Sequence, residues 1–320
     1  MTLETIAWWG GFSLLITVML AFDLFVLNRK AHKVGVREAL VWTGIWIGLA
    51  LAFGAAIFAL QGSDKGVEFL TGYVIEKSLS VDNIFVFLVI FQYFAVPAHL
   101  QPKILHWGIV GALIMRLIFI FIGAALLDAF HWMIFVFGGI LLLTALRLAT
   151  QKEHEVHPER NPLIRLLRRF VPVTSDYQRE NFFVRIDGRL MATPLFVVLL
   201  MVESTDVIFA VDSIPAIFAV TRDPFIVFTS NAFAILGLRA LYFALAGVVD
   251  YFTYLRQGIV AVLAFVGVKM IMSEFYKIPT PISLAVILAI LLIAIGLSVA
   301  LRKRATKTET PDDVAATRSE

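Results

Sequence analysis

The chain reads as an all-α, polytopic membrane protein of about nine transmembrane helices, built in part as an inverted repeat of three-helix units. Three observations predict this. Hydrophobic residues fill 60% of the 320 positions and charged residues only 16%, with mean hydropathy +0.87, whereas soluble domains carry about 25% charged residues. Apolar runs near 20 residues recur along the chain, the length that crosses a hydrocarbon core about 30 Å thick. The basic residues sit in short segments between those runs, which is the pattern of membrane topology. A pI near 9.1 therefore points to the bilayer and not to nucleic acid. Zero cysteines exclude disulfides, thiolate metal sites and thiol redox chemistry within the chain.

Taken in order, the expected spans are Trp8–Leu27, Ala39–Leu60, Val67–Phe94, Ile104–Leu127, His131–Ala149, Ala192–Val220, Phe225–Val248, Gly258–Ser273 and Ile282–Leu301. The first run lacks a basic leader and a small-residue cleavage site, so it reads as a retained span. These runs divide the chain into a two-helix scaffold (1–66), a first three-helix repeat (67–150), a cytoplasmic loop (151–191), a second three-helix repeat (192–274), a last helix (275–301) and a disordered tail (302–320). Arg29, Lys30, Lys33 and Arg37 fill the first loop, Arg160, Arg165, Arg168 and Arg169 the fifth, and Arg302, Lys303 and Arg304 open the tail. Loops of the other parity are sparse and mixed: Asp64, Lys65, Asp128, Arg222, Asp223, Glu274 and Lys277. The positive-inside rule places the N-terminus outside and the C-terminus in the cytoplasm. Trp8, Trp9, Trp107 and Trp132 lie at span edges, as an aromatic belt requires.

The repeat is read from two acidic motifs. Glu76-Lys77-Ser78-Leu79-Ser80-Val81-Asp82-Asn83 in the third span aligns with the sixth, Glu76 on Asp206, Asp82 on Asp212 and Asn83 on Ser213. Downstream, Arg116 matches Arg239 and Arg147 matches Lys269. An offset of three spans inverts the second unit relative to the first, an architecture that places substrate sites between the repeats.

Glu76, Asp82, Glu203, Asp206 and Asp212, backed by Asn83, Ser213, Ser204, Thr205 and Asn231, are oxygen donors inside apolar runs. One charge at the bilayer centre costs about 2.5–3.5 kcal/mol on insertion scales, so such residues are kept for a cavity or a partner. Carboxylate, amide and hydroxyl oxygens suit Mn, Ca and Mg, and no histidine lies near a span centre. The plain structural reading pairs the acids with Lys77, Arg116 and Arg239. Five acids against three bases leave two negative charges, which a divalent cation or two protons balance. Lys269 joins these three as a charge-balancing or gating residue. Residues six apart on a regular helix point about 120° apart and lie about 9 Å apart along the axis. Glu76 and Asp82 therefore share an ion only if the helices unwind near Ser80 and Ala210, or the acids pair across the repeat. Pro215 favours a break in the sixth span. In the long loop, Glu153-His154-Glu155-Val156-His157 has metal-ligand residue types but reads as a solvated segment.

Three tracts carry a resemblance: Glu76 to Asn83, Phe183-Val-Arg-Ile-Asp-Gly-Arg-Leu-Met-Ala-Thr-Pro194, and Glu203-Ser-Thr-Asp-Val-Ile-Phe-Ala-Val-Asp212-Ser-Ile-Pro215. A fourth, Asp223 to Arg239, adds to it. The chain resembles the TerC family of bacterial inner-membrane proteins, most of all its Alx branch. The resemblance implies a plasma-membrane protein associated with manganese export, alkaline-pH response and tellurite resistance. The expectation is a secondary transporter that exports Mn²⁺, with the bilayer and the ion as partners and no permanently bound cofactor. The chain shows no Walker pattern, which speaks against ATP coupling within it. Two rivals remain: a non-transporting membrane partner in redox, envelope-stress or tellurite responses, and an intramembrane aspartyl hydrolase on Asp82 and Asp212. The second lacks the Gly-x-Gly-Asp motif, and the chain is not expected to be an enzyme.

Overall fold

The computed structural model describes residues 3–22, 35–150, 164–166, 169, 171–186, 188–246, 254–273 and 275–308. In chain order the helices are α1 Leu3–Phe22, α2 Val36–Gln61, α3 Ser63–Tyr93, α4 Gln101–Ala129 and α5 Met133–Thr150. A hairpin of β1 Phe183–Ile186 and β2 Arg189–Ala192 follows, then α6 Pro194–Phe218, α7 Pro224–Leu236, α8 Leu238–Ala246, α9 Leu255–Met272 and α10 Thr280–Thr308. Among the described residues eight segments, with α7 and α8 counted as one, are long and apolar enough to cross a membrane. To these the bundle adds α3, whose 31 residues pack on α2, α6 and α7 and carry the first acidic motif.

Burial is inverted relative to a water-soluble protein. Leu14, Leu60, Leu143, Ile208 and Leu292 are exposed, whereas Glu76, Ser80, Arg116, Thr229 and Asn231 are buried. Apolar residues outward and charges inward is the arrangement a hydrocarbon solvent selects, since exposed carboxylates there have no water to solvate them.

Local chemistry explains the boundaries. The α2–α3 turn rests on Gly62 at φ +99° and on Gly66, where a Cβ would lie 2.7 Å from Phe58 Cβ; only glycine lets the two helices meet so closely. Thr193 and Pro194 start α6, the proline filling a first-turn position whose N–H needs no partner. Asp223 caps α7 by accepting the Phe225 N–H at 2.9 Å and pairs with Lys65 at the start of α3. At its other end α7 stops at Leu236; Gly237 separates it from α8.

This break is where the structure departs from the sequence reading. Helix α6 runs unbroken through Ala210 and Pro215 to Phe218, and α3 runs unbroken through Ser80. The unwinding weighed as one of two alternatives at Ser80 and Ala210 does not occur, nor does the break favoured by Pro215; the span that breaks is the seventh. Helix α10 continues to Thr308, past the expected end at Leu301. The long loop holds the β-hairpin, which the residue pattern did not suggest. Tyr177 ties that loop to the end of α3 by donating to the Phe94 carbonyl at 2.8 Å. The Glu153–His157 segment lies outside the described residues.

Helices of the two predicted units pack across one another, α3 on α7, α4 on α6 and α5 on α9. Exchanging the units turns the first pairing into the second and returns the third to itself. Helix α1 lies outside this core and docks through rings: Trp9 and Phe12 meet Phe225 and Phe228 at centroid separations of 5.4–5.9 Å.

Candidate functional site

Arg116 of α4 is the centre of the site, and it is 1% exposed. Its guanidinium reaches three other helices. Nη1 bonds Glu76 of α3, donates to Ser213 Oγ of α6 at 3.2 Å and to Asn231 Oδ1 of α7 at 2.8 Å. Nη2 and Nε both approach Asp206 of α6, at 3.2 and 3.5 Å. Asn231 closes the circuit by donating Nδ2 to Glu76 Oε2 at 3.3 Å. A planar cation with five donors can hold two carboxylates in this way, which a lysine cannot. The two acids are the pair the motif alignment equates, Glu76 and Asp206. They come from the third and sixth predicted spans and meet on one arginine.

One positive charge against two negative leaves this network one negative in excess. Burying it without strong hydrogen bonding would be prohibitive; the five contacts to Arg116 and the Asn231 bridge supply that bonding.

The other candidates separate into distinct places. Asp212 lies six residues beyond Asp206 on α6 and accepts the Thr144 hydroxyl of α5 at 2.7 Å, with the Arg147 charge acting on it from one turn further along α5. Asp212, Ser213, Thr144, Glu76 and Asn83 line a single cavity of about 40 Å³ whose other walls are apolar. Glu203 takes no part in it. Its carboxylate lies over the Gly111 backbone of α4, so close that a Cβ there would sit 2.0 Å from Oε1. Ser204 and Thr205 donate back to the Met201 and Val202 carbonyls of their own helix. Asp82 lies on α3, but its side chain is outside the described ones.

Of the bases, Lys77 donates Nζ to the Ala234 carbonyl at 3.2 Å and lies 2.9 Å from where a Gly237 Cβ would stand. Its charge therefore caps the C-terminus of α7 at the break, where the helix dipole is negative. Arg239, just past the break, lines a cavity of about 10 Å³ together with Asp206. Lys269 is remote, at the bundle end where α6 finishes.

Sequence reasoning missed Thr144. A lone threonine in an apolar helix ordinarily bonds its own backbone, so only its placement opposite Asp212 reveals it. Among the described residues no group of three or more His, Cys, Asp or Glu side chains is placed to hold a metal. The cavity instead offers two carboxylates, an amide and two hydroxyls.

Residues 61–307 match the model of the integral membrane protein TerC family. A Myxococcus xanthus "Uncharacterized membrane protein STKORF319" is 53% identical over 283 residues, covering 88% of this chain and 89% of its own. The Escherichia coli K12 protein named "Putative membrane-bound redox modulator Alx" is 48% identical over 299 residues, 91% of this chain and 93% of its own. An uncharacterized membrane protein of Rickettsia bellii is 36% identical over 291 residues, 91% of this chain and 96% of its own. No solved structure matches the chain. With its acidic motifs inside the matched region and similarity running almost end to end, the chain belongs to the TerC family of integral membrane proteins.

Proposed function

We propose that this chain is a secondary transporter that moves a divalent cation, Mn²⁺ foremost, out of the cytoplasm through the acidic site between α3, α5 and α6. One observation carries the reading: the oxygen-lined cavity of Glu76, Asn83, Thr144, Asp212 and Ser213 within apolar helices. Its donors are the hard oxygen types that suit Mn²⁺, Ca²⁺ and Mg²⁺. A water needs roughly 10–15 Å³ of such space, so a cavity of about 40 Å³ has room for an ion and part of its hydration shell.

Glu76 serves two masters, since one carboxylate both bonds Arg116 and lines the cavity. A cation entering beside Asp212 competes with the Arg116 guanidinium for it. Binding then loosens the contact that joins α3, α4, α6 and α7, which gives the cargo a differential hold on two arrangements of the bundle. The exchange-symmetric packing of α3 on α7 and α4 on α6 supports treating 67–150 and 192–274 as inverted repeats that rock about this site. The same reading places the protein in the bacterial inner membrane, N-terminus outside, with proton return balancing the charge.

The second reading, a membrane partner that transports nothing, draws on the Arg116 network as a purely structural clamp and on the name of the E. coli relative. With no cysteine in the chain, a redox effect would be indirect, through metal supply or a bound protein.

The test is Mn²⁺ flux into proteoliposomes holding an Mn²⁺-quenched dye. Wild type is expected to carry Mn²⁺, Asp212→Asn to carry none, and Thr144→Val to need about tenfold more Mn²⁺, as loss of one hydrogen bond to a charged group implies. Flux by Asp212→Asn equal to wild type would remove the acid from the pathway. No flux by folded wild type would favour the partner reading.

A further inference from the structure

A second cavity, of about 670 Å³, lies at the bundle end where α3 begins and α6 and α9 finish. Lys269 of α9 lines it and is 7% exposed. Other lysines of the core are matched: Lys77 caps α7 through Ala234 and Lys65 pairs with Asp223. Lys269 has no hydrogen bond and no ion pair among the described residues. Glu68 of α3 faces it electrostatically, but that carboxylate accepts the Thr221 hydroxyl at 2.6 Å. Arg222 and Lys277, both exposed, stand on the same wall, with His131 beside them. Among the described residues the lining therefore holds three basic side chains and one carboxylate, around a space that is far too large for an ion pair to close.

A buried ammonium with no hydrogen bond is unfavourable unless an acceptor completes it, and clustered Lys and Arg donors are the usual means of holding a phosphate-type group. We propose that this cavity is an oxyanion site. A phosphate-type group, free in solution or carried by a lipid headgroup, accepts hydrogen bonds from Lys269 at the floor while Arg222 and Lys277 close over it from the rim. The inference stands on the Lys269 cavity alone and holds whether or not the chain transports a cation.

The experiment uses the full-length protein in uncharged detergent. Inorganic phosphate is titrated by calorimetry, and retention of phosphatidylglycerol against phosphatidylcholine is read by native mass spectrometry. Saturable binding is expected, weakened at least tenfold in Lys269→Gln, several-fold in Arg222→Gln and Lys277→Gln, and kept in Lys269→Arg. Phosphate binding supports a site for a soluble anion; phosphatidylglycerol retention without phosphate binding supports a headgroup site. Wild type that binds neither overturns the proposal. So does binding that Arg222→Gln and Lys277→Gln leave unchanged, and because both side chains are exposed this arm holds even if Lys269→Gln fails to fold.

Discussion

Arg116→Gln tests the central network most directly. The substitution keeps much of the side-chain volume and removes the charge that holds Glu76, Asp206, Ser213 and Asn231 together. Two carboxylates are then left buried with no cation between them. Breaking a buried pair by removing one partner costs about 3–5 kcal/mol, roughly a hundred- to few-thousand-fold in the folded ratio. The network would hold two negative charges in place of one, so neutralising an acid should recover part of the loss. In the double variant Arg116→Gln/Glu76→Gln the coupling should be favourable by about 1–3 kcal/mol. Six tryptophans allow unfolding in detergent to be followed by intrinsic fluorescence. A loss under 1 kcal/mol in the single variant, or strict additivity in the double, would show that the arginine does not carry this charge balance.

Two glycines should respond differently to the same added methyl. Gly66→Ala meets Phe58 Cα at 2.9 Å, backbone that cannot give way, and should cost about 1–3 kcal/mol by thermal unfolding. Gly111→Ala meets first the Glu203 carboxylate, the far end of a flexible side chain, so it should cost under about 1 kcal/mol; equal losses at both positions would contradict this. Lys77→Met should weaken the α7 terminus by up to about 2 kcal/mol, seen as faster backbone exchange around Ala234 than around Phe228. Unchanged exchange would mean that the break is held by packing instead.

The apolar runs were readable because a hydrocarbon solvent leaves few choices: long apolar stretches must become helices. The two acidic motifs that supply Glu76 and Asp206 were readable too, as carboxylates inside apolar runs. What the residues could not reveal was distance between helices. Arg116 looked like one base among three, yet it joins both motif acids, Glu76 and Asp206. Pro215 drew the expected break to the sixth span, but near the end of α6 a missing N–H interrupts little, and the helix runs on for another three residues. Gly237 carried no such warning, because a glycine in an apolar helix is common in membrane proteins; the lysine that caps the break comes from another helix. Thr144 stayed hidden for the same reason, its partner Asp212 lying 68 positions away.

The order in which the Arg116 partners are made has a consequence for biogenesis. Glu76 enters the bilayer first, Arg116 follows 40 residues later, and Asp206 another 90 after that. At synthesis rates of about 5–20 residues per second, Glu76 waits roughly 2–8 s for its counter-charge. The α3–α4 hairpin can therefore leave the insertion machinery as a near-neutral pair. Asp206 arrives later as the surplus charge, and α6 enters lipid only where an arginine is already waiting. A nascent chain stopped between α3 and α4 should remain with the translocon, and one stopped after α4 should be released.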